Sequence, residues 1–185
     1  MIPRVRARSA SVREVLRYLF GPGENGEHHD QRLVAAWETA TIAGVAELQP
    51  PIAGGSFSVV RLAGLLEQPV LAGNNPPGKP IWHCSIHNHA DDPLLADHQW
   101  AKIAAAFVEG TGFAPACDRG SGRWVAVRHG DDHVHLVVTL VRQDGPTLWP
   151  RNDYRRCQTV ARDLERQLGL RPGGPTPITA GSEHG

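Results

Sequence analysis

The sequence predicts an α+β fold, and three features predict it. Two apolar runs of strand length, residues 123–128 and 133–138, flank a short polar turn and read as a hairpin. Capped, helix-periodic segments occupy residues 11–20 and 97–109. Short strands and helices are mixed along 185 residues, a length that suits one domain with a substantial core.

Taken in order, residues 2–6 read as a first strand. Ser9 and Ser11 then offer a helix cap, and Val12, Val15, Leu16 and Leu19 recur with helical period. Gly21-Pro22-Gly23 stops that helix. A loop rich in Gly and His, holding His28 and His29, reads as solvated and leads to a predicted helix over 31–37. A further helix is expected over 57–66. After the loop Gly73-Asn-Asn-Pro-Pro-Gly78, residues 80–87 read as a strand on which His83, Ser85 and His87 share a face. The helix at 97–109 ends at Gly110 and Gly112, and residues 152–168 form the last helix.

The hairpin carries the chemistry. His129-Gly-Asp-Asp-His133-Val-His135 packs three histidines and two aspartates into seven residues. On a strand, His133 and His135 point the same way, because side chains alternate with period two. His129 ends the preceding strand and can close the set as a third nitrogen ligand. Three nitrogens around a divalent cation leave positions open, which a catalytic metal requires. Asp131 and Asp132 are candidates for orienting a ligating imidazole or accepting a proton, and Asp also favours turns.

This pattern resembles the third motif of relaxases, the mobilization nucleases of the His-hydrophobic-His endonuclease superfamily. His129-Gly-Asp-Asp-His133 is similar to the compact, actinobacterial-type version, with fewer residues between the first His and the pair. The resemblance implies a tyrosine nucleophile. Tyr18, in Val-Leu-Arg-Tyr-Leu-Phe at the end of the first helix, resembles the family's first motif, whereas Tyr154 in Asn-Asp-Tyr-Arg-Arg reads as structural or DNA-facing. The strand Pro80-Ile-Trp-His-Cys-Ser85 resembles the family's central strand, which implies a DNA contact for Ser85. The tyrosine precedes the His pair, the relaxase order.

The resemblance further implies an antiparallel, ferredoxin-like or Rep-like palm with the histidines on its face and helices packed behind. It implies a nuclease domain over 1–170, a Mg2+ or Mn2+ cofactor, and single-stranded DNA at a transfer origin, nicked through a 5′-phosphotyrosine and rejoined. Accessory relaxosome proteins are the expected partners. The alternatives are a catalytically inactive or accessory plasmid DNA-binding protein of the same fold, and another His-x-His phosphodiesterase. A histidine-triad nucleotide hydrolase needs a third His where this chain has Val137.

Composition adds limits. The formal net charge is zero, yet seventeen of the nineteen basic residues are arginine. Arg4, Arg6, Arg8, Arg13 and Arg17 crowd the region around Tyr18, and arginine grips phosphate and stacks on bases. Three cysteines at spacings that fit no zinc motif, with no signal peptide, point to a reducing cytoplasm. No apolar run is long enough for a membrane span. Residues 171–185, rich in Pro and Gly, read as a flexible tail.

Overall fold

Five antiparallel strands in the order β1-β5-β7-β6-β2 form the sheet of this computed structural model, which describes residues 1–37 and 42–173. The strands are β1 (Ile2–Val5), β2 (Arg32–Ala36), β5 (Ile81–His87), β6 (Gly122–Arg128) and β7 (His133–Arg142). A two-stranded ribbon, β3 (Ile52–Ala53) and β4 (Ser56–Phe57), stands apart from it. The helices are α1 (Val12–Leu19), α2 (Ile42–Leu48), α3 (Val60–Ala72), α4 (Asp97–Gly110) and α5 (Asp153–Leu168). The α+β class and the antiparallel sheet are therefore as the sequence predicts. Most of the tail expected at 171–185 lies outside the described residues.

Strand β7 sits at the centre, and its alternation builds two layers. Val134, Leu136, Val138 and Leu140 face one side, where they meet Trp82, Cys84 and Ile86 of β5. Trp100, Ile103 and Phe107 of α4 and Cys157, Val160 and Leu164 of α5 cover that side. Val137 faces the other side with Ile81, Val125 and Val127, under Val12, Leu16 and Leu19 of α1 and Leu62, Ala63 and Leu66 of α3. Helices thus pack on both faces and not only behind the sheet.

Helix α3 is pinned by polar contacts as well. Pro69 lies in its interior and has no N–H to offer the Leu65 carbonyl four residues back. The Arg123 guanidinium of β6 donates to that carbonyl, and Thr139 Oγ1 of β7 donates to the Leu66 carbonyl at 2.8 Å.

Three differences from the sequence reading stand out. Residues 31–37, expected to be helical, hold strand β2, which pairs with β6 through a bulge between Leu33 and Ala35. Its four consecutive buried residues, Leu33 to Ala36, are covered on both sides, so no alternation marks it as a strand. The helix expected at 57–66 starts at Val60 and continues through Pro69 to Ala72. Helix α2 and the β3–β4 ribbon were not anticipated; the ribbon turns at Gly54-Gly55, whose φ values of 60° and 82° suit a tight hairpin turn.

Candidate metal centre and nucleophile

The helices leave one end of a sheet face open, and the histidines occupy that end. Helix α1 covers Val125, Val127 and Val137, then stops. Beyond its end, cross-strand registers align Arg4 with Ser85 and Ser85 with His135, and align Ile2 with His87 and His87 with His133. Directly paired residues share a face, so β1, β5 and β7 present one continuous polar surface. His129 joins it from the end of β6.

His129, His133 and His135 bring one ring nitrogen each to within 4.8 Å of one another. His129 is only 3 % exposed, and neither of its ring nitrogens has a hydrogen-bond partner. A buried imidazole with two unmet polar atoms is costly unless something binds it, and a cation answers that need. The other two histidines are oriented through their second nitrogens. His133 Nδ1 donates to Asp132 Oδ1 at 2.7 Å, and His135 Nδ1 is paired with His83 Nε2 at 2.8 Å. Each leaves Nε2 for an ion, the arrangement by which carboxylates and neighbouring groups fix the tautomer of metal-binding histidines. The donor set therefore fits a divalent metal.

Burial disfavours the charged forms of His129, His83 and His135. It pushes His129 down to about 3, with help from the charges of His28 and His133, and His83 down to about 4 with help from Arg6. His135 is held well below its ordinary range by burial and then by the surrounding histidines. Unprotonated rings are the form that ligates metal.

The turn between His129 and His133 is held by one guanidinium. Arg128 is buried; its Nε donates to the Gly130 carbonyl at 2.9 Å, Nη2 to the Asp131 carbonyl at 2.9 Å, and Nη1 to Asp97 Oδ1 at 2.6 Å. Asp97, in the first turn of α4, also accepts two bonds from Arg32. These contacts let the compact motif bring His129 back to the pair. They also separate the two aspartates: Asp132 is bonded to His133, while Asp131 bears electrostatically on Arg32.

Tyr18 projects from the last turn of α1 and is 44 % exposed. Its ring meets the edge of His28, with centroids 4.9 Å apart, and His28 lies against His129 at 3.6 Å. His28 was read as a solvated loop residue; it is in fact 6 % exposed and links the tyrosine to the triad. The loop folds back to deliver it. Glu27 accepts backbone N–H bonds from Glu24 and Asn25, His28 N donates to the Pro22 carbonyl at 3.1 Å, and His28 Nδ1 bonds the Gly21 carbonyl at 3.1 Å. His29 N donates to the His129 carbonyl at 3.1 Å. Gly21 is required there, since a Cβ would come within 2.7 Å of the Arg17 carbonyl oxygen.

The expected DNA residues divide into groups. Arg4, on edge strand β1, and Arg6, just after it, are exposed, with Arg4 on the histidine face. Arg13 and Arg17 are exposed on α1. Arg8 is partly buried, and its guanidinium donates to the Pro150 carbonyl at 3.3 Å. Ser85, expected to touch DNA, is fully buried, and its hydroxyl pairs with His87 Nε2 at 3.1 Å. Its place in the middle of β5, between β1 and β7, removes it from solvent. His83 and His87, which the sequence places on one face of this strand, belong to the same cluster as the triad. Tyr154 sits in the first turn of α5.

No curated protein and no solved structure matches this chain. The family model described as "Relaxase: MobA/VirD2-like, nuclease domain" matches residues 68–170, a span that holds β5, α4, β6, β7 and α5 and with them the three triad histidines. Tyr18 and His28 precede it. A match over more than half of the chain, on the strands that assemble the histidines, shows that this protein belongs to the MobA/VirD2-like relaxase family.

Proposed function

We propose that the chain nicks and rejoins single-stranded DNA at a transfer origin, with Tyr18 as nucleophile and a divalent metal, Mg2+ or Mn2+, held by His129, His133 and His135. The observation that carries this reading is the contact chain Tyr18–His28–His129, which brings a half-exposed phenol beside three convergent imidazoles. When bound, the metal supplies positive charge against the scissile phosphate. Asp132 and His83 orient the ligands, and Arg128 holds their turn.

Tyr18 Oη attacks phosphorus, and the bond from phosphorus to the 3′ oxygen breaks. The products are a 5′-phosphotyrosine and a free 3′-hydroxyl; rejoining is the reverse. A phenol with an ordinary pKa of about 10 must lose its proton to react near neutrality. We assign that proton to His28, whose ring meets the phenol ring; its Nδ1 is engaged with the Gly21 carbonyl, and its Nε2 lies 3.7 Å from Glu27 Oε1, a carboxylate that favours the imidazolium formed by the transfer. Arg4, Arg6, Arg13 and Arg17 bind flanking phosphates, and exposed arginines of this kind give salt-sensitive affinity. Residues 1–170 form the nuclease domain in this reading, acting in the cytoplasm with accessory proteins at the origin. Among the described residues no helix is long and apolar enough to cross a membrane.

The test is a labelled single-stranded oligonucleotide from the transfer origin of the element that encodes the protein, incubated with Mn2+ or Mg2+ and resolved on a denaturing gel. A covalent adduct lost in Tyr18→Phe and kept in Tyr154→Phe is the expected result. An adduct that survives Tyr18→Phe overturns the nucleophile. No adduct with either metal favours a DNA-binding protein without catalysis.

A further inference from the structure

Beyond the triad, His87, Asp132 and His133 bring one ligand atom each to within 4.8 Å of one another. This group faces outward: His87 and His133 are partly exposed and Asp132 is exposed, whereas His129 and His135 of the triad are buried. The His87 and His133 rings stack at 4.7 Å with only 14° between their planes, and they are directly paired residues of β5 and β7. Two imidazoles and one carboxylate on one side of an ion leave its remaining positions open to water or phosphate, a set that suits Mn2+, Co2+ or Zn2+ better than Mg2+.

We propose that His87, Asp132 and His133 form a second, outer divalent-cation site that alternates with the inner triad, using His133 as the shared ligand. The proposal rests on the triad being the working metal site and adds the route by which an ion reaches it.

Alternation follows from the chemistry of His133. A neutral imidazole carries one N–H and one free lone pair. With the proton on Nδ1 and donated to Asp132, the lone pair on Nε2 serves the triad. An ion in the outer site takes the position of that proton, between Nδ1 and the Asp132 carboxylate, and the proton moves to Nε2. His133 then has nothing left for the inner site. The outer site needs no backbone rearrangement, because His87 and His133 are fixed by the β5–β7 ladder and the adjoining Asn88 N–H donates to the Asp132 carbonyl at 2.7 Å. His87 is braced in turn by Ser85, which gives that buried hydroxyl a role. Arg4 lies on the same face, paired with Ser85, and the outer ligands are more exposed than the triad, so the outer site binds a cation more weakly than the inner one until DNA phosphate neutralises Arg4.

Co2+ alone is the probe, titrated into the full chain by calorimetry and visible absorption. Wild type is expected to bind one Co2+ per chain. His129→Ala/His135→Ala, checked for folding by circular dichroism, is expected to keep one Co2+ at least tenfold more weakly, with a changed absorption spectrum. Adding His87→Ala or Asp132→Asn to that variant should abolish binding. If the double variant does not fold, His129→Ala alone serves, and its residual affinity should fall at least tenfold on adding His87→Ala. Two ions per wild-type chain overturn the alternation. A folded double variant that binds nothing, or binds regardless of His87, overturns the outer site while leaving the triad intact. Wild type that binds no Co2+ overturns the triad, and the outer site falls with it.

Discussion

One strand, β7, makes a hydrophobic core and a polar site on the same face. Val137 and Thr139 lie under α1 and α3; His135 and His133, two and four residues earlier than Val137, lie beyond the end of α1. The alternation is identical in both halves, and what differs is the lid. Where a helix covers the strand, the side chains are apolar or, like Thr139, satisfied by a helix carbonyl at 2.8 Å. Where the helix has stopped, imidazoles remain with unmet lone pairs. A site can therefore be generated by ending a helix one turn early, and Gly21-Pro22-Gly23 ends this one.

The largest effect that separates the halves comes from the covered one. Leu16 is a fully buried residue of α1 in the apolar cluster with Leu62, Leu66 and Val137. Leu16→Ala should cost about 2–5 kcal/mol of stability, from lost burial and the cavity left behind. At temperatures where the variant is folded, its metal affinity should equal that of wild type. Chemical denaturation and calorimetry together check this, and a large loss of affinity would show that the two halves are not independent.

Acid should attack only the open half. Burial lowers His83 to about 4 and also lowers His129 and His135, so the folded protein holds fewer protons on these rings than the unfolded chain does. Stability is then fully present above the unfolded value of about 6.5 and is lost as pH falls toward the folded values. For His83 the loss between roughly 6.5 and 4 reaches at most about 3 kcal/mol, at about 1.4 kcal/mol per pH unit. Melting temperature measured in the metal-free protein from pH 7 to 4.5 should fall steeply, and His83→Gln should flatten part of that fall. A flat profile in wild type would mean that the rings are not buried neutral.

His83 also tests the orienting contact. Its 2.8 Å bond to His135 Nδ1 leaves His135 Nε2 for the ion, and partners of this kind are commonly worth 10–100-fold in metal affinity. His83→Ala should weaken Mn2+ binding by about that factor, and His83→Gln, which can restore a hydrogen bond, should recover part of it. Equal losses in both variants would assign His83 a packing role only.

These tests matter because the sequence showed the halves unequally. The hairpin motif was legible: spacing alone predicted that His133 and His135 share a face, and a hairpin offered His129 as a third nitrogen, while whether it reaches the pair depended on the turn that Arg128 holds. The helix bearing Tyr18 was legible from its cap and its stop. His28 was not, because its position depends on Glu27 folding the loop back and on the His29 N–H reaching the His129 carbonyl, contacts with no periodic signature. His83 and His87 were visibly alternating, but nothing local says that β5 pairs with β7 across α4 and β6. Strand β2 was lost for the opposite reason: cover on both sides erased the alternation that would have marked it.

The smallest expected effect concerns α1, whose body covers one half and whose end carries Tyr18 to the other. Its start is capped by Ser11, whose hydroxyl accepts the Glu14 N–H at 3.2 Å, and its end presents Tyr18 to His28. Ser11→Ala should cost about 1 kcal/mol of stability, the usual worth of such a cap. Its influence on Tyr18 should be negligible, because the two ends are fixed by different contacts. Val12, Leu16 and Leu19 bury the helix along its length, and the Phe20 N–H still donates to the Leu16 carbonyl. Fraying released at Ser11 is therefore stopped at the first buried turn. Unchanged nicking in a Ser11→Ala protein that melts a few degrees lower would show that α1 transmits packing but not position from the covered half to the open one. A parallel drop in nicking rate would mean that α1 moves as a rigid lever, and that the cap helps aim the nucleophile.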